Sequence, residues 1–412
     1  MSGQGVWGPH SLGYVAHALA LRQGGGTSIQ LACGSYILEA PNFVEVFTSD
    51  LDSPQALEAA QSVVRLPHHY PSTRVRWLNP GPDGPDLLVT SGDYLRIWSA
   101  SNGGELRSLM RHEANPQDRC TPITSVDASS EAGAGHGAQL VSCDIYGICA
   151  FWDTERGAMQ QAIDLGQPLS DVAYGPDGLV AVAGDRGDCF LVDPRQPHNV
   201  EILVPAERVS GPARVAWGAR RRGLFATAWQ GEDTGIALYS GSHPRQGSAQ
   251  LLRGSHGAAA VADMQWSPAF PELLCCAGED GSVMLWEFPE ESVGAVAAAP
   301  GPCMNWKPQG HNEACTALAL SAEVRPGQHA VVLATATMGE PTMQGQPATA
   351  LGGSLWMAAL PQPSGRGGGR RPGSRAAGEE PASAWPSQGM RSEGIDGAGL
   401  RPGSSPLVGA AH

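Results

Sequence analysis

The sequence predicts an all-β fold: a seven-bladed β-propeller followed by a disordered C-terminal tail. Three observations predict it. A unit of an apolar run, a Gly/Asp turn and a second apolar run, often closed by tryptophan, recurs along the chain. Its closing positions Trp98, Trp152, Val192, Tyr239, Trp286 and Trp356 lie 54, 40, 47, 47 and 70 residues apart. The middle spacings approach the ~40–45 residues of a four-stranded propeller repeat, and inserts account for the long ones. No segment carries the apolar period of a long helix. Sandwiches and up-and-down barrels predict no such repeat, whereas four-stranded units set radially close into a ring with short protected edges.

The first unit, 12–66, holds four runs, "YVAHALAL", "SIQLACGSYI", "NFVEVFTS" and "QSVVRLP". In the second, 67–112, "TRVRWLNP" leads into the hairpin "GPDLLVTSGDYLRIW", and "RSLM" follows. The third, 120–165, runs through "ITSVDAS", "AQLVSCDIYGICAFWD" and "QQAI"; the fourth, 168–205, through "LSDVAYGPDG", "GLVAVAGDRGDCFLVD" and "VEILV". The fifth, 211–254, has "ARVAWGAR", "GLFATAWQGEDTGIALYS" and "AQLLR". "VADMQWSP" and "ELLCCAGEDGSVMLWE" mark the sixth, 256–300; "ACTALALS" and the looser "AVVLATATMG" and "GGSLWMA" mark the seventh, 311–360. Each leading run alternates apolar and non-apolar residues, as a half-buried strand does, and turn residues follow it. The propeller thus spans 12–360. Residues 361–412 hold 19 Gly or Pro and lose all apolar periodicity. Such a segment buries too little surface to offset its ordering entropy and is predicted to be disordered.

Composition excludes several function classes. The net charge is −14, whereas a general nucleic-acid binder needs clustered cations to neutralise phosphate. No direct nucleic-acid contact is expected of the propeller. The tail carries six Arg against four acids, and "GRGGGRRPGSR" is read as a solvated linker before it is read as an RNA or acidic-partner contact. Lys307 is the only lysine. Nine cysteines form no C-x-x-C pair and no zinc spacing, so buried reduced thiols are expected and no metal or cofactor is. The N-terminus lacks a signal-peptide pattern and no apolar run reaches the ~18–20 residues of a membrane span. The expected location is the nucleus and cytoplasm.

The residues that look like chemistry look structural on closer reading. The repeats resemble WD40 repeats, and the resemblance implies a chain of hydrogen bonds through a loop His, a second-strand Ser/Thr, a turn Asp and a third-strand Trp. The usual spacing puts the Ser/Thr ten and the Asp six residues before the Trp. In the second unit His68, Thr90 and Trp98 match, although Thr90 stands eight before Trp98. Eight is even, so Thr90 and Trp98 can share a strand face. Asp93, at an odd offset, is expected in the tight turn, where Gly92 tolerates a positive φ and Asp93 can hydrogen-bond the backbone. In the third unit Ser142 and Trp152 match and Tyr146 takes the Asp position; in the sixth, His256, Asp280 and Trp286 match, with Cys276 at the Ser/Thr position. The fourth unit replaces three members with Val182, Arg186 and Val192, so the network is expected complete nowhere. No catalytic residue is expected: no G-x-S-x-G occurs, "HHYP" at 68–71 has no further metal ligands nearby, "GDRGD" at 184–188 places Arg186 among its carboxylates, and "GRGGG" at 365–369 follows no strand.

The match is closest to one family. "HHYPSTRVRWLNPGPDGPDLLVTSGDYLRIWS", "LACGSYILEAPNFVEVF", "PLSDVAYGPDGLVAVAGDRGDCFLVDPRQPHNVEILV" and "AAVADMQWSPAFPELLCCAGEDGSVMLWE" resemble the Transparent Testa Glabra / light-regulated WD family, whose animal counterpart is a cullin-associated WD-repeat scaffold factor. The resemblance runs from about residue 13 to 288 and departs at the short connection "MQQAIDLGQPLSDVAY" and beyond 288. It implies a non-enzymatic scaffold that holds transcription regulators (MYB and bHLH types) or protein kinases in pigment, cell-fate or clock pathways. "VDPR" at 192–195 resembles the end of a motif that docks a cullin-ligase adaptor, with Val192 for Trp; Arg195 is then the docking residue, or an ordinary strand-end arginine. A ligase substrate receptor is the alternative reading. A propeller enzyme, which would gather polar groups round the central channel, is disfavoured by Val-, Ala- and Leu-rich leading runs.

Overall fold

The structure is a computed structural model. It describes residues 6–23, 28–38, 41–50, 60–78, 86–112, 121–129, 139–175, 178–203, 213–218, 224–229, 235–239, 250–253, 260–268, 270–288, 304–306, 314–320, 332–338 and 353–359. The tail expected at 361–412 lies outside the described residues, as does His256.

The described chain forms seven four-stranded antiparallel sheets. Strand β1 (Val6–Leu12) comes first and belongs to the last sheet. Blade 1 is β2 (Val15–Gln23), β3 (Ser28–Tyr36), β4 (Asn42–Asp50) and β5 (Gln61–His68). Blade 2 is β6 (Arg74–Leu78), β7 (Leu87–Ser91), β8 (Leu95–Ser99) and β9 (Glu105–Met110), with one 3₁₀ turn at Ala100–Asn102. Blade 3 is β10 (Ile123–Ala128), β11 (Gln139–Asp144), β12 (Ile148–Asp153) and β13 (Ala158–Asp164). Blade 4 is β14 (Leu169–Tyr174), β15 (Val180–Gly184), β16 (Cys189–Val192) and β17 (Glu201–Leu203). Blade 5 is β18 (Ala213–Trp217), β19 (Phe225–Trp229), β20 (Gly235–Tyr239) and β21 (Gln250–Arg253). Blade 6 is β22 (Val261–Trp266), β23 (Leu273–Gly278), β24 (Val283–Glu287) and β25 (Met304–Trp306). Blade 7 is β26 (Cys315–Leu320), β27 (Val332–Met338) and β28 (Gly353–Ala359), with β1 paired antiparallel to β28 as its outermost strand.

Two of these assignments differ from the sequence expectation. The last blade is not 311–360 alone, because its fourth strand is β1, Val6–Leu12, which carries no repeat of its own. Blade 6 extends past 300: β25 pairs Met304 with Leu285 and Trp306 with Val283 across a long insert. In the first case a single strand carries no repeat period; in the second the insert separates it from its hairpin.

Burial explains why the strands read as they do. The second and third strands are covered on both faces by neighbouring blades, so β15 ("VAVAG"), β16 ("CFLV") and β23 ("LLCCAG") are buried at every position and appear as continuous apolar runs. The outer strands β5, β9 and β13 alternate or lie exposed. The core is therefore seven apolar clusters, one between each pair of adjacent blades. A closing Trp packs toward the preceding blade: Trp98 beside Val44 and Leu66 of blade 1, Trp152 beside Val89 and Ile97 of blade 2, Trp286 beside Ala226 and Leu238 of blade 5.

Candidate functional site

Three constellations emerge, and two of them hold the ring together. The first is the strand-tying network. In blade 2 the Trp98 indole Nε1 donates to Thr90 Oγ1 at 3.0 Å, and Thr90 Oγ1 lies 3.1 Å from His68 Nε2. All three are buried. Asp93 lies in the tight turn between β7 and β8, as its odd offset predicts, and takes a backbone hydrogen bond at Tyr94. Its carboxylate takes both Arg96 Nη groups, at 2.5 and 2.9 Å, and Arg96 Nη1 lies 3.4 Å from His68 Nδ1. Shortening the hairpin moves the Asp off the histidine, and Arg96, opposite Thr90 in register, fills the gap. Gly92 does not adopt a positive φ; what favours glycine is the close approach of the Pro71 carbonyl oxygen, 3.1 Å from where a Cβ would stand. Burial, reinforced by the Arg96 charge, pushes the His68 pKa down to about 4, so the ring is neutral. Asp93 is held below its ordinary value: burial alone would raise it, and the Arg96 pair reverses that.

Blade 3 overturns the expectation that the network is complete nowhere. Trp152 Nε1 donates to Ser142 Oγ at 2.8 Å, Ser142 Oγ lies 2.6 Å from His112 Nε2, and His112 Nδ1 lies 2.8 Å from Asp144 Oδ2. Asp144 also accepts the Tyr146 and Ile148 amides. Tyr146 is therefore not the stand-in for the acid; Asp144 is, and Tyr146 points to solvent. His112 was hidden because the insert after it stretches its distance from Trp152. Counted from the serine it stands thirty residues before Ser142.

In blade 6 Cys276 and Trp286 are buried, but the Trp286 Nε1 finds no acceptor among the described residues. Asp280 turns instead to the Ser282 amide and hydroxyl, at 3.0 and 2.7 Å. A thiol is too weak an acceptor to replace the missing hydroxyl.

The second constellation was missed by sequence reading. It lies on the inner strands round the central axis. Arg74 of β6 donates from Nη1 to Asp263 Oδ1 of β22 at 2.7 Å, and from Nη2 to both oxygens of Asp171 of β14 at 3.2 Å. One buried guanidinium thus joins blades 2, 4 and 6. Asp171 also accepts from Ser125 Oγ of blade 3 at 2.7 Å and from the Val215 amide of blade 5 at 3.1 Å. Asp263 accepts the Leu318 amide of blade 7 at 2.9 Å. Arg214 of blade 5 donates to the Ala262 carbonyl at 3.0 Å, and the Asp127 carboxylate accepts the Tyr174 amide at 2.8 Å. For Asp263 burial works against ionisation, yet the Arg74 and Arg214 charges hold its pKa below the ordinary value. A signal was present: Asp is depleted from strands, yet "LSDVAY", "VADMQW" and "ITSVDA" each place one inside a leading run.

The third is a cavity of about 320 Å³ between blades 3 and 4, lined by Gln139, Trp152, Gln160, Tyr174 and Arg195 among others. Arg195 is 68% exposed and its guanidinium chelates Asp193, with Nε at 2.8 Å and Nη2 at 3.0 Å. No group of three or more metal-ligating side chains occurs among the described residues, and no helix there is long and apolar enough to cross a membrane. The seven described cysteines are all buried free thiols.

The ring of four-stranded blades is a β-propeller, and the family described as "WD domain, G-beta repeat" matches residues 249–287, from β21 to β24. The chain is similar to the DDB1- and CUL4-associated factor 7 homolog of Dictyostelium discoideum, 25% identical over 266 residues that cover 63% of this chain and 77% of that protein. It is also similar to the WD repeat-containing protein YPL247C of Saccharomyces cerevisiae, 24% identical over 293 residues, 62% of this chain and 54% of that protein.

Proposed function

We propose that the chain is a non-enzymatic WD40 scaffold that assembles protein complexes, with transcription regulators of MYB and bHLH type or protein kinases as partners, in the nucleus and cytoplasm. The observation that carries this reading is the central ion cluster. The polar groups that a propeller enzyme would aim at a substrate are here engaged with one another: Arg74 with Asp171 and Asp263, and those acids with backbone amides. The surfaces left for recognition are the loop faces and outer strands. The partner classes come from the family resemblance at 68–98 and 260–287. Proximity labelling with the full chain and with a version ending at residue 360 tests the reading and the role of the tail together. Enrichment of regulators or kinases is the expected result; recovery of no stable protein partner would sink it.

A second reading, substrate receptor of a cullin–RING ubiquitin ligase, is favoured by the similarity to the Dictyostelium DDB1- and CUL4-associated factor 7 homolog and by the exposed Arg195 lining the cavity between blades 3 and 4. Arg195→Ala should weaken adaptor capture by at least tenfold. Unchanged capture removes Arg195 from the reading, and absence of adaptor from pull-downs removes the reading itself.

A further inference from the structure

Blade 4 lacks the hydrogen-bonded tie of blades 2 and 3. Val182 pairs with Val172 and Phe190, the register of Ser142 in blade 3, and Val192 faces Val180, the register of Trp152. Gly184, opposite Leu169, stands where Asp144 stands opposite Ile123. The connection into the blade is short and brings no histidine; Gln167 comes down on the turn instead. A Cβ on Gly184 would lie 2.9 Å from the Gln167 Cδ and Nε2 and 3.2 Å from its Oε1, so glycine makes room for the amide. Gln167 Nε2 donates to Asp188 Oδ2 at 2.9 Å. The turn is fixed from several sides. Gly184 N donates to Asp188 O at 2.8 Å, Asp185 N to Pro168 O at 3.0 Å, and the Trp229 indole of blade 5 to Gly187 O at 2.9 Å.

What this arrangement leaves over is acceptors. Gln167 is 7% exposed, yet its Oε1 meets no donor. The amide cannot turn round, because its oxygen would then face the Asp188 carboxylate. Asp185, next to Gly184 in the same turn, buries its Oδ1 with no donor either. Val182 and Val192, where blade 3 has a hydroxyl and an indole, offer none. The charge here is negative. Asp185 and Asp188 share the turn 184–188, Asp164 ends β13 at the head of the connection, and no Lys, Arg or His stands between Arg156 and Arg186. Arg186, which the sequence places among the carboxylates, is exposed and joins none of the ion pairs of the described residues. Buried oxygens with no hydrogen to accept, set beside carboxylates, call for a water or a cation, and the local charge favours the cation.

The geometry points to the turn 184–188 of blade 4, with Gln167, as a binding site for a hard divalent cation. Gln167 Oε1 and the carboxylates of Asp185 and Asp188 are its side-chain ligands, and water fills the remaining positions. Only two of these ligands are ionisable, which is why no trio of His, Cys, Asp and Glu marks the place. An all-oxygen set suits calcium or magnesium, whereas zinc prefers nitrogen and sulfur. Calcium is the better match. It takes about six to eight oxygens in flexible geometry and accepts amide carbonyls, whereas magnesium demands a near-octahedral set. So few protein ligands place the affinity in the weak range, about 10⁻⁴–10⁻³ M. Bound there, the cation ties the entry of blade 4 to its turn, the part that histidine plays in blades 2 and 3. The site is independent of the scaffold reading.

Calorimetric titration of the full-length chain, stripped of metal with EDTA, against calcium chloride and against magnesium chloride tests the site, with unfolding midpoints measured at matched ionic strength. The expected result is one saturable calcium site that raises the midpoint. Affinity should fall at least tenfold in Asp185→Asn and in Asp188→Asn and at least threefold in Gln167→Met, and should rise in Arg186→Ala. Glu279→Gln/Asp280→Asn, in the blade 6 turn where Ser282 already engages Asp280, should leave it unchanged. Asp185→Asn keeps the shape of the side chain and adds a donor to the turn, so its metal-free midpoint should not fall. Should Asp188→Asn or Gln167→Met fail to fold, Asp185→Asn decides. No saturable binding of either cation, equal affinity in Asp185→Asn, or the same midpoint rise with choline chloride overturns the proposal in favour of a buried water. Loss of binding in the blade 6 variant overturns it as well, because the cation then sits elsewhere. Tighter binding of magnesium than of calcium overturns the choice of calcium.

Discussion

Ser142 shows what one hydroxyl does in this ring. It accepts from Trp152 and pairs with His112, so Ser142→Ala strands two buried polar groups at about 1–3 kcal/mol each. Equilibrium denaturation should show the loss with little change in m-value. Blade 6 is the natural counterpart. Cys276 faces Met284 and Trp286 faces Leu274, the register that Ser142 and Trp152 hold in blade 3, where they face Ala150 and Leu140. Cys276→Ser is therefore expected to give the Trp286 indole an acceptor and to stabilise the fold by up to about 1 kcal/mol, with a downfield shift of one indole N–H resonance as its signature. The histidine of blade 2 sets a pH dependence. The folded state keeps His68 neutral with its pKa pushed down to about 4, against ~6.5 in the unfolded chain. The unfolded state then binds the extra proton, so this contribution is full above about pH 6.5 and is lost as pH falls toward 4, on the order of 3 kcal/mol. His68→Gln should flatten the stability profile in that window. The depressed carboxylates Asp93 and Asp263 act lower, their contribution disappearing as pH falls below the ordinary carboxylate range.

Among the elements, β1 has the largest leverage for its size. It is the outer strand of blade 7, pairing Ser11 with Ser354 and Leu12 with Gly353, and it ties the beginning of the repeat region to its last blade. Leu12 is buried in the cluster between blades 7 and 1. Deleting residues 1–12 removes that burial and a row of ladder bonds, about 3 kcal/mol or more, and bares the β28 edge. The expected outcome is a lower unfolding midpoint together with concentration-dependent association in sedimentation velocity, since a free edge is a template for pairing. The shortened hairpin β7–β8 teaches a related lesson. Losing two residues keeps the Thr90–Trp98 parity intact while displacing Asp93, and the tie to His68 is remade through Arg96.

Across the whole molecule, the Arg74 cluster couples blades 2, 4 and 6, which are separate sheets. Arg74→Met leaves Asp171 and Asp263 buried without their cation, and such a broken pair costs about 3–5 kcal/mol. Arg74→Met with Asp171→Asn and Asp263→Asn removes the charges together while keeping acceptors for the Val215 and Leu318 amides; it should recover most of the loss. Hydrogen exchange should report the single substitution in blades 4 and 6 as well as in blade 2. A change confined to blade 2 would show that the cluster does not link the ring.

The repeat period, the four-strand units and the Thr90–Trp98 and Ser142–Trp152 pairs were legible because they depend on local spacing, and strand parity is a property of neighbouring residues. His112 and β1 were not, because inserts and chain-end pairing break the count on which a repeat is recognised. The Arg74–Asp171–Asp263 cluster was least legible of all. Its members are 97 and 189 residues apart, and nothing in a strand's own pattern says which side chain waits across the axis. The sequence by itself determined a propeller of four-stranded repeats and its ties within blades. Only the tertiary structure decided which charges neutralise one another at its centre, because that follows from bringing distant inner strands to the same axis of a closed ring.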